Sequence, residues 1–239
     1  MLGLSSLQKM TSALRILAYG VAVDSTDEYV RIGESIAIES LKKFVKAVVN
    51  IFSEDYLRLP NSNDIARLVA VNKRFGFPGM LGSIDCMYWK WKNCPTAWKG
   101  QYTGHSREPT LILEAVASYD RWIWHAFFGL LRSHNDINVL EHSSIFTELA
   151  QGRVPPVNYS INGHDYTMGY YFVDGIYPKW STFVKTILAS LEAKKKKYFS
   201  RVQMACRKDV ECAFGIVQAR FSIVCGLARF GMKQLSMIL

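Results

Sequence analysis

The sequence predicts an α/β protein: a helical N-terminal region followed by a mixed sheet flanked by helices. Two patterns carry that prediction. Apolar residues recur at helical spacing up to about residue 74 and at alternate positions beyond it. Past residue 75 the segments run as three strands, a helix and a fourth strand, an order in which the fourth can return beside the first. The 239 residues suffice for one large α/β domain or two smaller ones, each with its own core. We place the main boundary near residue 75, with a helical unit over 1–74 and an α/β unit over 75–239.

In the helical unit, Leu7, Met10, Leu14 and Leu17 share a helical period that Gly20 is suited to end. Ser25-Thr26-Asp27-Glu28 matches a capping box and opens a short second helix through Tyr29 and Ile32. Gly33-Glu34-Ser35 turns the chain into a third helix, expected to bury Leu41, Phe44, Val48 and Ile51 and to carry Lys42, Lys43 and Lys46 on another side. Three short helices with a glycine turn before a lysine-bearing one suit a helix-turn-helix unit; a plain helical bundle with solvated lysines fits the pattern equally. Leu59 to Asp64 interrupts the helices, which resume over Ile65 to Val71, and Phe75-Gly76-Phe77-Pro78-Gly79 punctuates the entry to the sheet.

The first strand carries Gly82-Ser83-Ile84-Asp85-Cys86-Met87-Tyr88-Trp89, after which Trp89 and Trp91 face one way and Lys90 and Lys92 the other. Leu111 to Ala117 forms the second strand, Ser118-Tyr119-Asp120-Arg121 a turn and Trp122 to Leu130 the third. Ser133 to Asp136 can cap a helix through Leu149 that Gly152 ends. Met168 to Val173 is the fourth strand, ending at Asp174-Gly175, with Tyr177-Pro178 closing it. If it lies parallel to the first, Asp85 and Asp174 come close together. Lys194 to Lys197 reads as a solvated loop or turn. Cys206 to Phe221 reads as a helix with Val210, Phe214 and Val217 inward, and with Arg207 and Glu211 four residues apart on one face.

Composition narrows the functional classes. Lysine and arginine outnumber acidic residues 29 to 20, a formal charge of +9, which favours anionic partners, nucleic acid first. Five cysteines form no C-x-x-C pair, and none of the five histidines has metal-ligand spacing. A reducing, intracellular compartment follows. No apolar run reaches the roughly 20 residues of a spanning helix, so a soluble protein without a membrane role is expected.

Several stretches together resemble the PIF/Harbinger transposase-derived nucleases, plant members above all. They are Gly82-Ser-Ile-Asp-Cys-Met-Tyr-Trp89, Asn93-Cys-Pro-Thr-Ala-Trp98, Leu113-Glu-Ala-Val-Ala-Ser118, Ser133-His-Asn-Asp-Ile-Asn138, Tyr171-Phe-Val-Asp-Gly-Ile-Tyr-Pro178 and Arg207-Lys-Asp-Val-Glu-Cys-Ala-Phe-Gly215. The resemblance is closest from Phe75 to Phe221, and the helical part is similar to that family's helix-turn-helix region. It implies a ribonuclease H-like fold and a DDE nuclease site in which Asp85, Asp174 and Glu211 are both the catalytic residues and the metal ligands. It implies two Mg²⁺ or Mn²⁺ ions, DNA as partner, a separate Myb-like DNA-binding protein, and a nuclear location with a cytoplasmic pool besides. Three hard oxygen ligands suit such ions, and two of them about 3.5–4 Å apart can activate a nucleophile and stabilise a leaving oxygen. Asp136 is assigned to helix capping, not to the site. The chain departs from the family pattern at Cys212, where an arginine is usual, and at Leu131-Arg132, where a small glycine-containing pair is usual. Family members usually continue past the equivalent of Phe230 into a further helix, so a C-terminally shortened copy is expected. The expected function is metal-dependent hydrolysis or transfer of DNA phosphodiesters; the alternative is a catalytically silent, domesticated or decayed transposase that binds DNA or protein.

Overall fold

The computed structural model describes residues 4–20, 29–103, 107–130, 156–175, 177–186 and 194–225. The capping box at Ser25 to Glu28 and the helix predicted from Ser133 to Leu149, with Asp136, lie outside them.

The N-terminal region is helical, as the period predicts. Helix α1 (Ser6–Tyr19) starts at Ser5, whose hydroxyl accepts from the Gln8 amide while the Gln8 side chain accepts from the Ser5 amide. It stops at Gly20, which takes the left-handed conformation at φ 58°. Helix α2 (Glu34–Tyr56) follows, and α3 (Ser62–Arg74) is capped by Asn61, whose side chain accepts from the amides of Asn63 and Asp64.

The faces these helices bury differ in part from those expected. Leu7, Met10 and Leu14 are exposed, and the inward face of α1 is Ser12, Ala13, Ile16 and Leu17. On α2 the inward residues are Ala37, Ser40, Leu41 and Val45, with Phe44 half-buried, while Val48 and Ile51 are exposed. The cause is tertiary. The buried face is the one that meets Trp89, Trp91, Tyr102 and Leu111 at one end of the sheet, and these residues form a single apolar cluster with Ala13, Ile16, Leu41 and Val45. That cluster draws on residues from both sides of position 75.

The sheet is mixed, in the order β3-β2-β1-β6-β7. Strands β1 (Met80–Lys90), β2 (Thr110–Ala117) and β3 (Ile123–Leu130) form an antiparallel meander, with the short helix α4 (Thr96–Tyr102) between the first two. Strand β6 (Tyr170–Val173) returns parallel to β1, and β7 (Phe183–Lys185) lies parallel outside it. A separate hairpin, β4 (Tyr159–Ile161) with β5 (His164–Tyr166), turns at Asn162-Gly163, both at positive φ. An Asn-Gly pair is the strongest short-range hairpin signal, so this element was legible in a stretch where no strand had been expected; α4 and β7 were also unexpected.

The side-chain alternation of the central strand sorts the two faces of the sheet. Ile84 points with Leu81, Val116, Tyr171 and Val173 to the face covered by Ile65 of α3. Ser83, Asp85 and Met87 point the other way, under the long helix α5 (Lys194–Arg220). The lysine run, expected as a loop, is the exposed first turn of this helix. Val210, Ala213 and Phe214 of α5 pack on Leu113, Ala115 and Ala117, while its Val202 and Cys206 pack on Phe77, Met80 and Phe172. Small residues on β2 let the helix lie close to the sheet. A hydrogen bond of 3.1 Å from the Ser83 hydroxyl to the Cys206 carbonyl sets the helix in register on β1.

Candidate functional site: three carboxylates around one arginine

Asp85 and Asp174 occupy corresponding places on neighbouring parallel strands. Asp85 is the sixth residue of the eleven-residue β1, and Asp174 follows the last residue of β6. The parallel register pairs Ser83 with Phe172, so two further residues along each strand lead to Asp85 and Asp174, both on the α5 side. Each carboxylate is oriented by the amide that follows it: Cys86 N–H donates to Asp85 Oδ1 at 2.8 Å, and Gly175 N–H to Asp174 Oδ1 at 2.7 Å.

Glu211 arrives from the helix above, and so does Arg207, which the sequence places four residues before it on the same face. Arg207 places Nη1 3.1 Å from Asp174 Oδ1 and Nη2 3.9 Å from Asp85 Oδ2 and 4.0 Å from Glu211 Oε1. One guanidinium therefore addresses all three acids, from positions 85, 174 and 211 of the chain. Among the described residues the Thr186 hydroxyl also accepts from Nη1, at 3.3 Å. Lys185 donates from Nζ to the Gly175 carbonyl at 2.8 Å, and Gln203 donates to the Lys185 carbonyl at 3.0 Å, which ties the turn after Asp174 to β7 and α5.

The three acids sit in different environments. The Asp85 side chain is 22 % exposed, against 46 % for Asp174 and 49 % for Glu211. Burial pushes the Asp85 carboxyl above its ordinary value. The negative charges of Glu211 and Asp174 push in the same direction, while the Cys86 amide and the Arg207 guanidinium oppose them. Beneath Asp85 lies Tyr177, the residue expected to close the strand end. Its hydroxyl is 3.4 Å from Cys86 Sγ, and burial raises its pKa strongly.

Residues 54–239 match the family described as Plant transposon protein. The chain belongs to that family. No curated protein and no solved structure matches it. The family match begins inside α2 and covers the whole sheet, α5 and all three acids.

The donor set of this plant transposon protein is right in kind for a hard divalent cation, which prefers carboxylate oxygens. Its arrangement is not that of a ready cage: among the described residues no group of three or more His, Cys, Asp or Glu side chains is placed to hold a metal ion. The guanidinium of Arg207 stands between the acids. Arg207 was the residue sequence reasoning missed, and its signal was present in the four-residue spacing from Glu211 on the helix face that also carries Val210 and Phe214. No helix among the described residues is long and apolar enough to cross a membrane.

Proposed function

We propose that this protein is a DNA-processing enzyme of the transposase type, a nuclease similar to the PIF/Harbinger group that hydrolyses or transfers phosphodiesters at Asp85, Asp174 and Glu211. The observation that carries the reading is the convergence of these three acids, spread along the chain from position 85 to position 211, around one point on one face of the sheet. A ribonuclease H-like core is part of the proposal, and the mixed order β3-β2-β1-β6-β7 supports it.

The proposed cofactor is Mg²⁺ or Mn²⁺ in a two-ion arrangement, which when bound would activate the attacking oxygen and stabilise the departing one. The chain's own residues do the rest. Asp85, the most buried of the three acids, is held by the Cys86 amide on the central strand and supplies the rigid anchor. Asp174 and Glu211, half-exposed, face the solvent side from which a DNA backbone approaches. The excess of positive charge brings the phosphates to the protein, with Lys42, Lys43 and Lys46 on α2 and Lys194 to Lys197 at the start of α5 as surface contacts. The helical region around α2 is the proposed helix-turn-helix-like contact, a Myb-like protein the proposed DNA-binding partner, and the nucleus the proposed location.

One observation favours a second reading, a catalytically silent DNA- or protein-binding descendant: the acids as placed close on Arg207 instead of opening as a cage. Cleavage of labelled duplex, nicked and single-stranded DNA in Mg²⁺ or Mn²⁺, by wild type and Asp85→Asn, separates the two. The enzymatic reading expects metal-dependent cleavage that Asp85→Asn abolishes. Folded wild-type protein that binds DNA but cuts none of these forms, with or without the Myb-like partner, establishes the silent reading instead.

A further inference from the structure

We propose that Arg207 is the built-in counter-cation of the three-carboxylate cluster, and that divalent cations load the cluster in competition with its guanidinium, the full complement entering only when the guanidinium is displaced. This rests on the metal reading given above and adds to it a competitor supplied by the chain itself.

Three features of the geometry support it. First, Arg207 makes contacts of 3.1, 3.9 and 4.0 Å with Asp174, Asp85 and Glu211, so it occupies the space that all three acids share. Second, its charge is permanent, since a guanidinium does not lose its proton in a protein, and its side chain is only 19 % exposed. It therefore offsets one of the three acid charges. Third, the hold is uneven. Of the three contacts only that to Asp174 is a hydrogen bond; the other two, at 3.9 and 4.0 Å, are ion pairs too long for one. The Thr186 hydroxyl, already 3.3 Å from Nη1, gives the guanidinium a partner on the rim when it withdraws.

The charges define what each state can accept. Three carboxylates against one guanidinium leave two negative charges uncompensated, which a single divalent ion balances. A second ion added with Arg207 still in place makes the cluster net positive, which is favourable only once DNA phosphate has arrived or the guanidinium has moved onto it. Arg207 thus keeps the free protein from holding a full complement of metal and makes loading depend on the substrate. The role is that of a positioning residue: it acts through the carboxylates.

The test is calorimetric titration of the full chain with MnCl₂ and with MgCl₂, without DNA, for wild type, Arg207→Gln, Arg207→Met, Arg207→Lys and Asp174→Asn, with circular dichroism to verify folding. Arg207→Gln keeps a hydrogen-bond donor on a shorter side chain but removes the charge, and it should bind Mn²⁺ at least about tenfold more tightly than wild type. That is the low end of the about ten- to thousand-fold effect one adjacent charge has on proton binding by a carboxylate, as suits a half-exposed site. Its melting temperature in EDTA should lie below that of wild type and rise more on adding Mn²⁺, because the acids then repel one another until an ion binds. Arg207→Lys, which keeps the charge, should remain close to wild type; Arg207→Met, which removes the charge but keeps apolar bulk, should tighten Mn²⁺ binding as Arg207→Gln does and serves as the reading if the Gln variant is poorly folded. Equal Mn²⁺ affinity in wild type and every folded charge-removing Arg207 variant, lost in Asp174→Asn, overturns the inference while leaving the metal site standing. Weaker binding in Arg207→Gln also overturns it. Absence of binding in every variant overturns both this inference and the metal reading.

Discussion

Replacing Gly82 with alanine tests whether the close fit of β1 against β2, which places Asp85, limits the stability of this protein. A Cβ at position 82 would lie 2.6 Å from the Ala117 carbonyl oxygen and 3.2 Å from its carbon. Ordinary contact begins at about 3.5 Å, so roughly an ångström is missing. The obstacle is backbone in the middle of the sheet, between the antiparallel partner β2 and the parallel partner β6, so it cannot rotate aside as a side chain could. Overpacking of this kind costs about 1–3 kcal/mol. In a chain of this size each kcal/mol moves the melting temperature by about 2–4 °C, so Gly82→Ala should melt roughly 2–12 °C lower. The control is the same substitution on α5. Gly215 is exposed in mid-helix with nothing within 4 Å of a built Cβ, so Gly215→Ala should gain about 0.5–1 kcal/mol. Thermal melts followed by far-ultraviolet circular dichroism read both. The reasoning is refuted if Gly82→Ala melts at or above the wild-type temperature, or if the two substitutions shift it in the same direction.

Asp209 offers a test through pH. Burial raises its pKa to about 6, with Asp120 adding and Arg121 opposing, against about 3.9 in an unfolded chain. A carboxyl raised on folding contributes stability that is complete below about pH 4 and lost as pH rises through about 6. Asp209→Asn should therefore be more stable than wild type at pH 8, and the advantage should fade towards pH 4; denaturant melts across that range check it, and a constant difference would count against it. Asn61→Ala removes the side chain that caps α3 and should cost about 1 kcal/mol in the same melts.

Local chemistry made much of this protein legible in advance. The change of period near residue 75, the end of the first helix at Gly20, and the Trp-Lys alternation all depend on neighbours a few residues away, so the sequence contains their cause. The parallel return of β6 beside β1 followed from the element order, and with it the approach of Asp85 and Asp174. Short elements fared worse: β7 has three residues and exists because the outer edge of β6 offers it hydrogen bonds, not because Phe183-Val184-Lys185 favours extension by itself. The lysines at 194–197 became helical because α5 continues through them to pack Val202 and Cys206 on the sheet, which overrides the tendency of a like-charge run to stay in a loop.

By itself, then, the sequence determined the class of the fold and the central strand, since these follow from periodicity and residue type, while the three acids were singled out by what the family resemblance implies. Which faces the N-terminal helices bury was decided by the tertiary structure, because a helix with apolar residues on several sides buries the side that meets the tryptophans. The state of the acids was decided there too. Whether three carboxylates form an open cage or close on a guanidinium depends on where the helix puts Arg207 relative to the strands. That placement comes from the Ser83–Cys206 bond and the packing of Val210 and Phe214 on β2, contacts between residues far apart in the chain that no local pattern records.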